Sequence, residues 1–72
     1  MATAQLDNKM LASNELAQSS ISELRRLRID QAADTVQISG IVRSFYHKQL
    51  AQEAVRRVVH GATVDNQVHV CP

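Results

Sequence analysis

The sequence predicts an α+β fold with the element order αββαβ, in which two helices pack on one face of a three-stranded sheet. Three observations predict it. Apolar residues alternate from Val36 to Val42 around Gly40, which is typical of a half-buried strand with a close backbone approach. From Ser44 the apolar positions change to helical spacing, and this run ends at Gly61. Alternation then returns from Val64 to Val70, which indicates a further strand.

Length and composition allow one small domain with an aliphatic core. A chain of 72 residues buries only about 60% of its unfolded surface, so its stability is expected to be marginal. It has one Phe, one Tyr and no Trp, and its formal net charge is +1. Because a phosphate-neutralising protein carries a strongly basic face, this balance argues against nucleic acid as a partner. The single Cys71 excludes an intramolecular disulfide.

The chain carries no signal for membrane insertion or export. It has no run of 18 apolar residues, which argues against a transmembrane segment. The polar stretch from Met1 to Met10 has no apolar core of a secretory signal. As written, the chain is therefore expected in the cytoplasm, and as a domain excised from a larger protein it is expected in the cell envelope.

The first half of the chain is expected to form a helix and a strand after a disordered start. Residues 1–9 are polar and lack a cap, so we predict disorder there and a single domain over residues 10–72. A helix is predicted from Met10 to Leu24, with Ser13 or Asn14 as its cap. A strand is predicted over residues 27–31. The turn at residues 33–34 lacks the glycine that a two-residue turn prefers, which leaves a longer or bulged loop as the alternative.

The second half has clearer boundaries. A strand is predicted over residues 35–42 and a helix over residues 45–59. Ser44 supplies the N-cap oxygen of this helix, and Gly61 lies where a left-handed C-terminal cap is expected. The last strand is predicted over residues 63–70, parallel to the second strand if the two are neighbours.

Alternation assigns the strand residues to two faces of the sheet. The covered face is predicted to carry Leu27, Ile29, Val36, Ile38, Val42, Val64, Val68 and Val70. The solvent face is predicted to carry Arg28, Asp30, Gln37, Ser39, Asp65, Gln67 and His69, with Ile41 as an apolar exception. Gly40 falls on the covered face, where we predict that a helix approaches closely. Asn66 also points inward, and we predict a structural role in which its amide satisfies a backbone group.

These patterns resemble the BON domain, a family named after bacterial osmotically inducible and nodulation proteins. The resemblance extends from Ile21 to Val70. Its motifs are Val36-x-Ile38-Ser39-Gly40-x-Val42, then Lys48, Ala51 and Ala54 in the helix, and Val64-x-Asn66-x-Val68-x-Val70. The sequence departs from the family where His60 replaces a glycine and where the turn glycine before the second strand is absent. The resemblance implies a non-enzymatic module that binds phospholipid membranes, often within larger envelope proteins.

One segment combines aromatic and cationic residues. It runs from Arg43 to Lys48 and contains both aromatic side chains of the chain. An exposed ring flanked by cations can insert at the headgroup boundary of an anionic membrane. We therefore take Arg43, Phe45 and Lys48 as candidate lipid-binding residues. The alternative is that Phe45 and Tyr46 complete the core, and Tyr46 fits the predicted buried stripe of the helix better.

Two further clusters of charged or potential ligand residues are predicted to have no binding function. Arg25, Arg26 and Arg28 are typical of a solvated strand edge. His69 and Cys71, even when His60 is added as a third ligand, lack the spacing of a metal site, so no metal or other cofactor is expected. No catalytic motif is present, and an enzyme is not expected. The alternative function is a protein-interaction or oligomerisation module without lipid affinity. The oligomeric state stays open.

Overall fold

A computed structural model describes residues 7–72 and has the predicted α+β architecture, in which helices pack on a three-stranded sheet. The elements are α1 (Asn8–Ala17), α2 (Ser22–Arg25), β1 (Arg28–Ala32), β2 (Thr35–Val42), α3 (Phe45–Val58) and β3 (Thr63–Val70). The helices α1 and α3 pack against each other, α1 against β1, and α3 against β2 and β3.

The first predicted helix is in fact two helices. The side chain of Ser19 accepts a hydrogen bond from the Ile21 N–H at 3.1 Å, between α1 and α2. A serine oxygen that binds nearby backbone competes with helical hydrogen bonding, which explains the break. The start of α1 also differs, because Asp7 accepts from the Lys9 N–H at 3.2 Å and acts as the N-cap in place of Ser13 or Asn14. Of the segment predicted to be disordered, residues 1–6 lie outside the described residues, and residues 8–9 are helical.

The sheet order is β1-β2-β3. The strands β1 and β2 form an antiparallel hairpin, and β3 lies parallel to β2, with Ile38 opposite Ile29 on one side and Asn66 on the other. The hairpin turn contains only two residues, since Ala32 pairs with Thr35. Ala33 has φ of 54°, a left-handed conformation that the preferred glycine would adopt at lower cost. The longer or bulged alternative was therefore wrong.

The core is aliphatic and lies between the helices and one sheet face. Within residues 7–72 its buried members are Ala12, Leu16, Leu24, Ile29, Val36, Ile38, Val42, Ala51, Val55, Val59 and Val68. Leu27, Val64 and Val70 pack against this core with partial exposure. The predicted face assignment is therefore confirmed, and Ile41 is exposed on the opposite face as its position in the alternation requires.

The surroundings of Gly40 correct one prediction. A Cβ atom at this position would lie 2.6 Å from Cδ2 of Leu27, and the three nearest atoms all belong to Leu27. The nearest neighbour is thus Leu27, which precedes β1, and not a helix residue as the sequence predicted. Gly40 also has a backbone φ of 136°, which residues with a side chain rarely adopt. The backbone conformation therefore favours glycine, and the end of the Leu27 side chain occupies the space that a side chain at Gly40 would take.

Gly61 has the left-handed φ of 69° that the sequence predicted. It is not the cap itself, because α3 ends at Val58 and the chain is already extended at Val59, whose φ is −92° and ψ 149°. Gly61 instead turns the loop toward β3.

Asn66 connects β3 to α3 and has the structural role predicted for it. Its amide nitrogen donates to the Lys48 carbonyl oxygen at 3.0 Å and to the Gln52 side chain at 3.2 Å. Its side-chain oxygen accepts from the Val68 N–H at 3.1 Å. One half-buried amide therefore uses both its donor and its acceptor groups to hold helix and strand together.

Candidate functional site at the β2–α3 junction

The junction between β2 and α3 is fixed by a helix cap. Ser44 has an extended backbone, and its side-chain oxygen accepts from the His47 N–H at 3.2 Å. This satisfies one of the free N–H groups at the helix start. The cap fixes the direction of the first turn of α3, which begins with Phe45 and Tyr46.

Both aromatic rings of the junction are exposed. Phe45 is 74% exposed and Tyr46 67%, and Ile41 shortly before them is 65% exposed. The prediction that Tyr46 belongs to the buried stripe was wrong by one residue. The fully buried positions of α3 are Ala51 and Val55, and one helical turn before Ala51 lies His47, so the stripe reaches His47 and leaves Tyr46 in solvent.

The three candidate lipid-binding residues differ in exposure. The side chain of Arg43 is 85% exposed and lies two residues before the exposed Phe45. Lys48 is half-buried on the side of α3 that meets Asn66, which binds its carbonyl oxygen. The structure thus brings Arg43 and Phe45 together at the exposed junction and places Lys48 at its margin. Binding of lipid by these residues stays a prediction.

Sequence reasoning missed Glu23, which holds the junction in place. Oε1 of Glu23 accepts from the Arg43 N–H at 2.9 Å and lies 2.9 Å from Nδ1 of His47. Its Oε2 lies 3.8 Å from Nε of Arg43. The Arg43 N–H, followed by His47, lowers the pKa of Glu23 below its ordinary value because both stabilise the carboxylate. One carboxylate from α2 therefore fixes the loop and the first turn of α3.

The sequence contains no local signal for this contact. Glu23 precedes Arg43 by 20 residues and His47 by 24, and as an acidic residue in the first turn of α2 it has an ordinary local role. Glu23 gains a second role, its contacts with Arg43 and His47, only because α2 packs beside the β2–α3 junction.

The family is established by a comparison with known families. The family model of the BON domain matches residues 2–72. The chain belongs to the BON domain family. This family consists of non-catalytic modules. No curated protein matches the chain at a significant level.

The sequence of this BON domain contains two further clusters: Arg25, Arg26 and Arg28, and the set of His60, His69 and Cys71. Arg25 donates to the Ser19 carbonyl oxygen at 2.8 Å. The backbone N–H of His60 contacts Asn8 before β3 begins, whereas His69 and Cys71 lie at the other end of β3. Because β3 is extended between them, His60 is far from the other two residues. Residues 7–72 contain no group of three potential metal ligands.

A helix needs sufficient length and a predominantly apolar sequence to cross a membrane. Over the described part of the chain, no helix is both long enough and apolar enough to do so.

Proposed function

We propose that this BON domain is a non-enzymatic module that binds anionic phospholipid surfaces through its β2–α3 junction. The observation that carries the proposal is the exposure of Ile41, Phe45 and Tyr46. Among residues 7–72, these are three of the four large apolar side chains that are exposed, and they lie within six consecutive positions. The exposed Arg43 stands among them.

This combination suits the boundary between headgroups and acyl chains. The ring of Tyr46 suits this boundary, because its hydroxyl can meet water while the ring meets hydrocarbon. Phe45 and Ile41 add apolar side chains that can enter the acyl boundary. A basic side chain near an anionic surface contributes about 1 kcal/mol. With Arg43 exposed and Lys48 half-buried, the expected binding is weak and reversible. It also decreases at high salt, because the attraction is screened within about 8 Å at physiological ionic strength.

Vesicle co-sedimentation tests the proposal. The wild-type protein is expected to pellet with vesicles that contain phosphatidylglycerol and to stay in the supernatant with pure phosphatidylcholine. Phe45→Ala and Arg43→Gln are each expected to reduce the bound fraction several-fold. Met10→Ala and Arg57→Gln are matched controls, because they remove an exposed apolar side chain and an exposed charge elsewhere. Both are expected to bind like the wild type.

Two results would contradict the proposal. One is failure of the wild type to pellet with anionic vesicles at low salt. The other is an equal loss of binding in Arg43→Gln and Arg57→Gln, since this would mean that net charge acts without a defined surface. Circular dichroism of each variant shows whether the fold is retained.

A second candidate function is a protein-interaction or oligomerisation module, and the position of β3 favours it. β3 pairs only with β2, so within the described residues one side of this eight-residue strand has no partner strand. The N–H groups of Thr63 and Cys71 donate to Asp34 and Val42 on the β2 side. In a parallel pair the residues between them alternate, so the N–H groups of Val64, Asn66, Val68 and Val70 face away from β2. An edge of this kind can accept a strand from a partner.

A further inference from the structure

A groove lies beside the β2–α3 junction. Its volume is about 450 Å³, which is within the range of small-molecule sites. The residues that line it are the continuous segment from Gly40 to Arg43 together with Glu23, Arg26 and Cys71. The groove thus joins the exposed Ile41 to two arginine side chains from different elements.

We propose that this groove binds the headgroup region of one anionic phospholipid molecule. Its phosphate would lie between the guanidinium groups of Arg26 and Arg43, and the first methylene groups of its chains would lie along Ile41. This proposal rests on the proposed function and adds a defined lipid site to it. The argument is charge complementarity, because two cations line a groove that also includes the exposed apolar side chain of Ile41.

The guanidinium groups of Arg26 and Arg43 both have N–H donors that can bind a phosphate. The side chain of Arg26 is exposed and forms no ion pair or hydrogen bond within residues 7–72. Arg43 is 85% exposed, and only its Nε faces Glu23, at 3.8 Å. The terminal nitrogens of both guanidinium groups can therefore donate to phosphate oxygens.

Among the described residues that line the groove, Glu23 is the one carboxylate, and it would repel a phosphate. Its oxygens, however, already accept from the Arg43 N–H and lie against His47 and Nε of Arg43. The lining carries two arginines against this one carboxylate, so its net charge stays positive. Arg25, the neighbour of Arg26, is outside the groove and donates to the Ser19 carbonyl oxygen.

Titration with a soluble lipid tests the proposal. The probe is dihexanoyl phosphatidylglycerol below its micelle concentration, followed by amide chemical shifts of the labelled protein. Saturable shifts are expected at Gly40, Ile41 and Cys71. Arg26→Gln is expected to weaken this binding at least five-fold, whereas Arg57→Gln, which removes the same charge at the far end of α3, is expected to change it less than two-fold.

Two further ligands identify what is recognised. Dihexanoyl phosphatidylcholine is expected to bind at least five-fold more weakly, because its headgroup has no net charge. Inorganic phosphate is expected to give only weak shifts without saturation, because it lacks the apolar part. Equal affinity for phosphatidylcholine, or equally tight binding of inorganic phosphate, would overturn the proposal.

The experiments distinguish failure of the proposed lipid site from failure of the proposed membrane binding by the β2–α3 junction. Vesicle binding without saturable shifts from the monomeric lipid, or with shifts away from the groove, overturns the lipid site and leaves the proposed function intact. Failure of the wild type to bind anionic vesicles overturns the proposed function itself. Circular dichroism of Arg26→Gln shows whether this variant is folded, so that weaker binding of the soluble lipid is not the result of unfolding.

Discussion

At the residue scale, the contact between Gly40 and Leu27 shows how one missing side chain shapes this small domain. Two factors act at Gly40. Its φ is 136°, and a Cβ atom would lie 2.6 Å from Cδ2 of Leu27. Cδ2 is the end of a flexible side chain and can move, whereas the backbone conformation is fixed by the ladder in which Gly40 pairs with Val68. The backbone is therefore expected to contribute the larger cost of a substitution.

Gly40→Ala is expected to lower the free energy of unfolding by about 1–3 kcal/mol, the usual cost of a strained backbone conformation. Urea denaturation measures it. The loss is expected to persist when Leu27→Ala is also present, because removal of the contact does not relieve the backbone. Gly61→Asn is the comparison, since Gly61 has open space around it and φ of 69°, which asparagine tolerates. An unchanged urea midpoint for Gly40→Ala would contradict this account.

At the element scale, Glu23 connects the four-residue helix α2 to the start of α3. A helix this short has little stability of its own, so its contacts with the rest of the domain hold it in place. Besides Leu24 in the core, these contacts include the bonds from Glu23 to Arg43 and His47. The charged form of Glu23 is thus part of the folded structure.

Acid is therefore expected to weaken this link. The pKa of Glu23 is lowered from 4.5 in the folded protein, first by the Arg43 N–H and then by His47. A carboxyl whose folded pKa is depressed stabilises the fold above its unfolded pKa, and this contribution is lost as the pH falls through the folded value. Glu23→Gln is accordingly expected to flatten the dependence of stability on pH below about pH 4.5.

Urea midpoints at pH 7 and at about pH 3 measure this effect. Glu53→Gln is the control, because it also removes one exposed carboxylate but lies on α3 away from the junction. A pH dependence that is equally steep in both variants would show that the link does not stabilise the domain.

At the scale of the whole molecule, the free side of β3 raises the question of assembly. Asn66 occupies this side in part, because its side-chain oxygen accepts from the outward-facing Val68 N–H. A side chain that takes an edge N–H interrupts the row of groups that another strand would need. The wild-type domain is therefore expected to be a monomer in sedimentation equilibrium at micromolar concentration.

Substitution of Asn66 tests this expectation. Asn66→Ala frees the Val68 N–H and is expected to promote self-association. Asn66→Asp retains an acceptor for this N–H but, like Asn66→Ala, loses the bonds to Lys48 and Gln52. It is therefore expected to stay monomeric. A wild-type dimer, abolished by a proline in β3, would instead favour the interaction module over the lipid-binding one.

The sequence by itself determined the elements whose signals are local. β2, α3 and β3 were predicted closely because alternation, helical spacing and the Ser44 cap act between near neighbours. The first helix was predicted less well, because Ser19 ends it through a single hydrogen bond that competes with its intrinsic pattern. The candidate cations and Phe45 were predicted as a lipid-binding set because they stand together in the chain.

The tertiary structure alone decided what depends on contacts between distant residues. It placed β3 beside β2, positioned Glu23 at the junction, and brought Arg26 to the same groove as Arg43. It also set the rotation of α3, which exposes Tyr46 and turns His47 inward. A one-residue rotation leaves the local helical pattern almost unchanged, so only the packing of α3 against the sheet and α1 can select it.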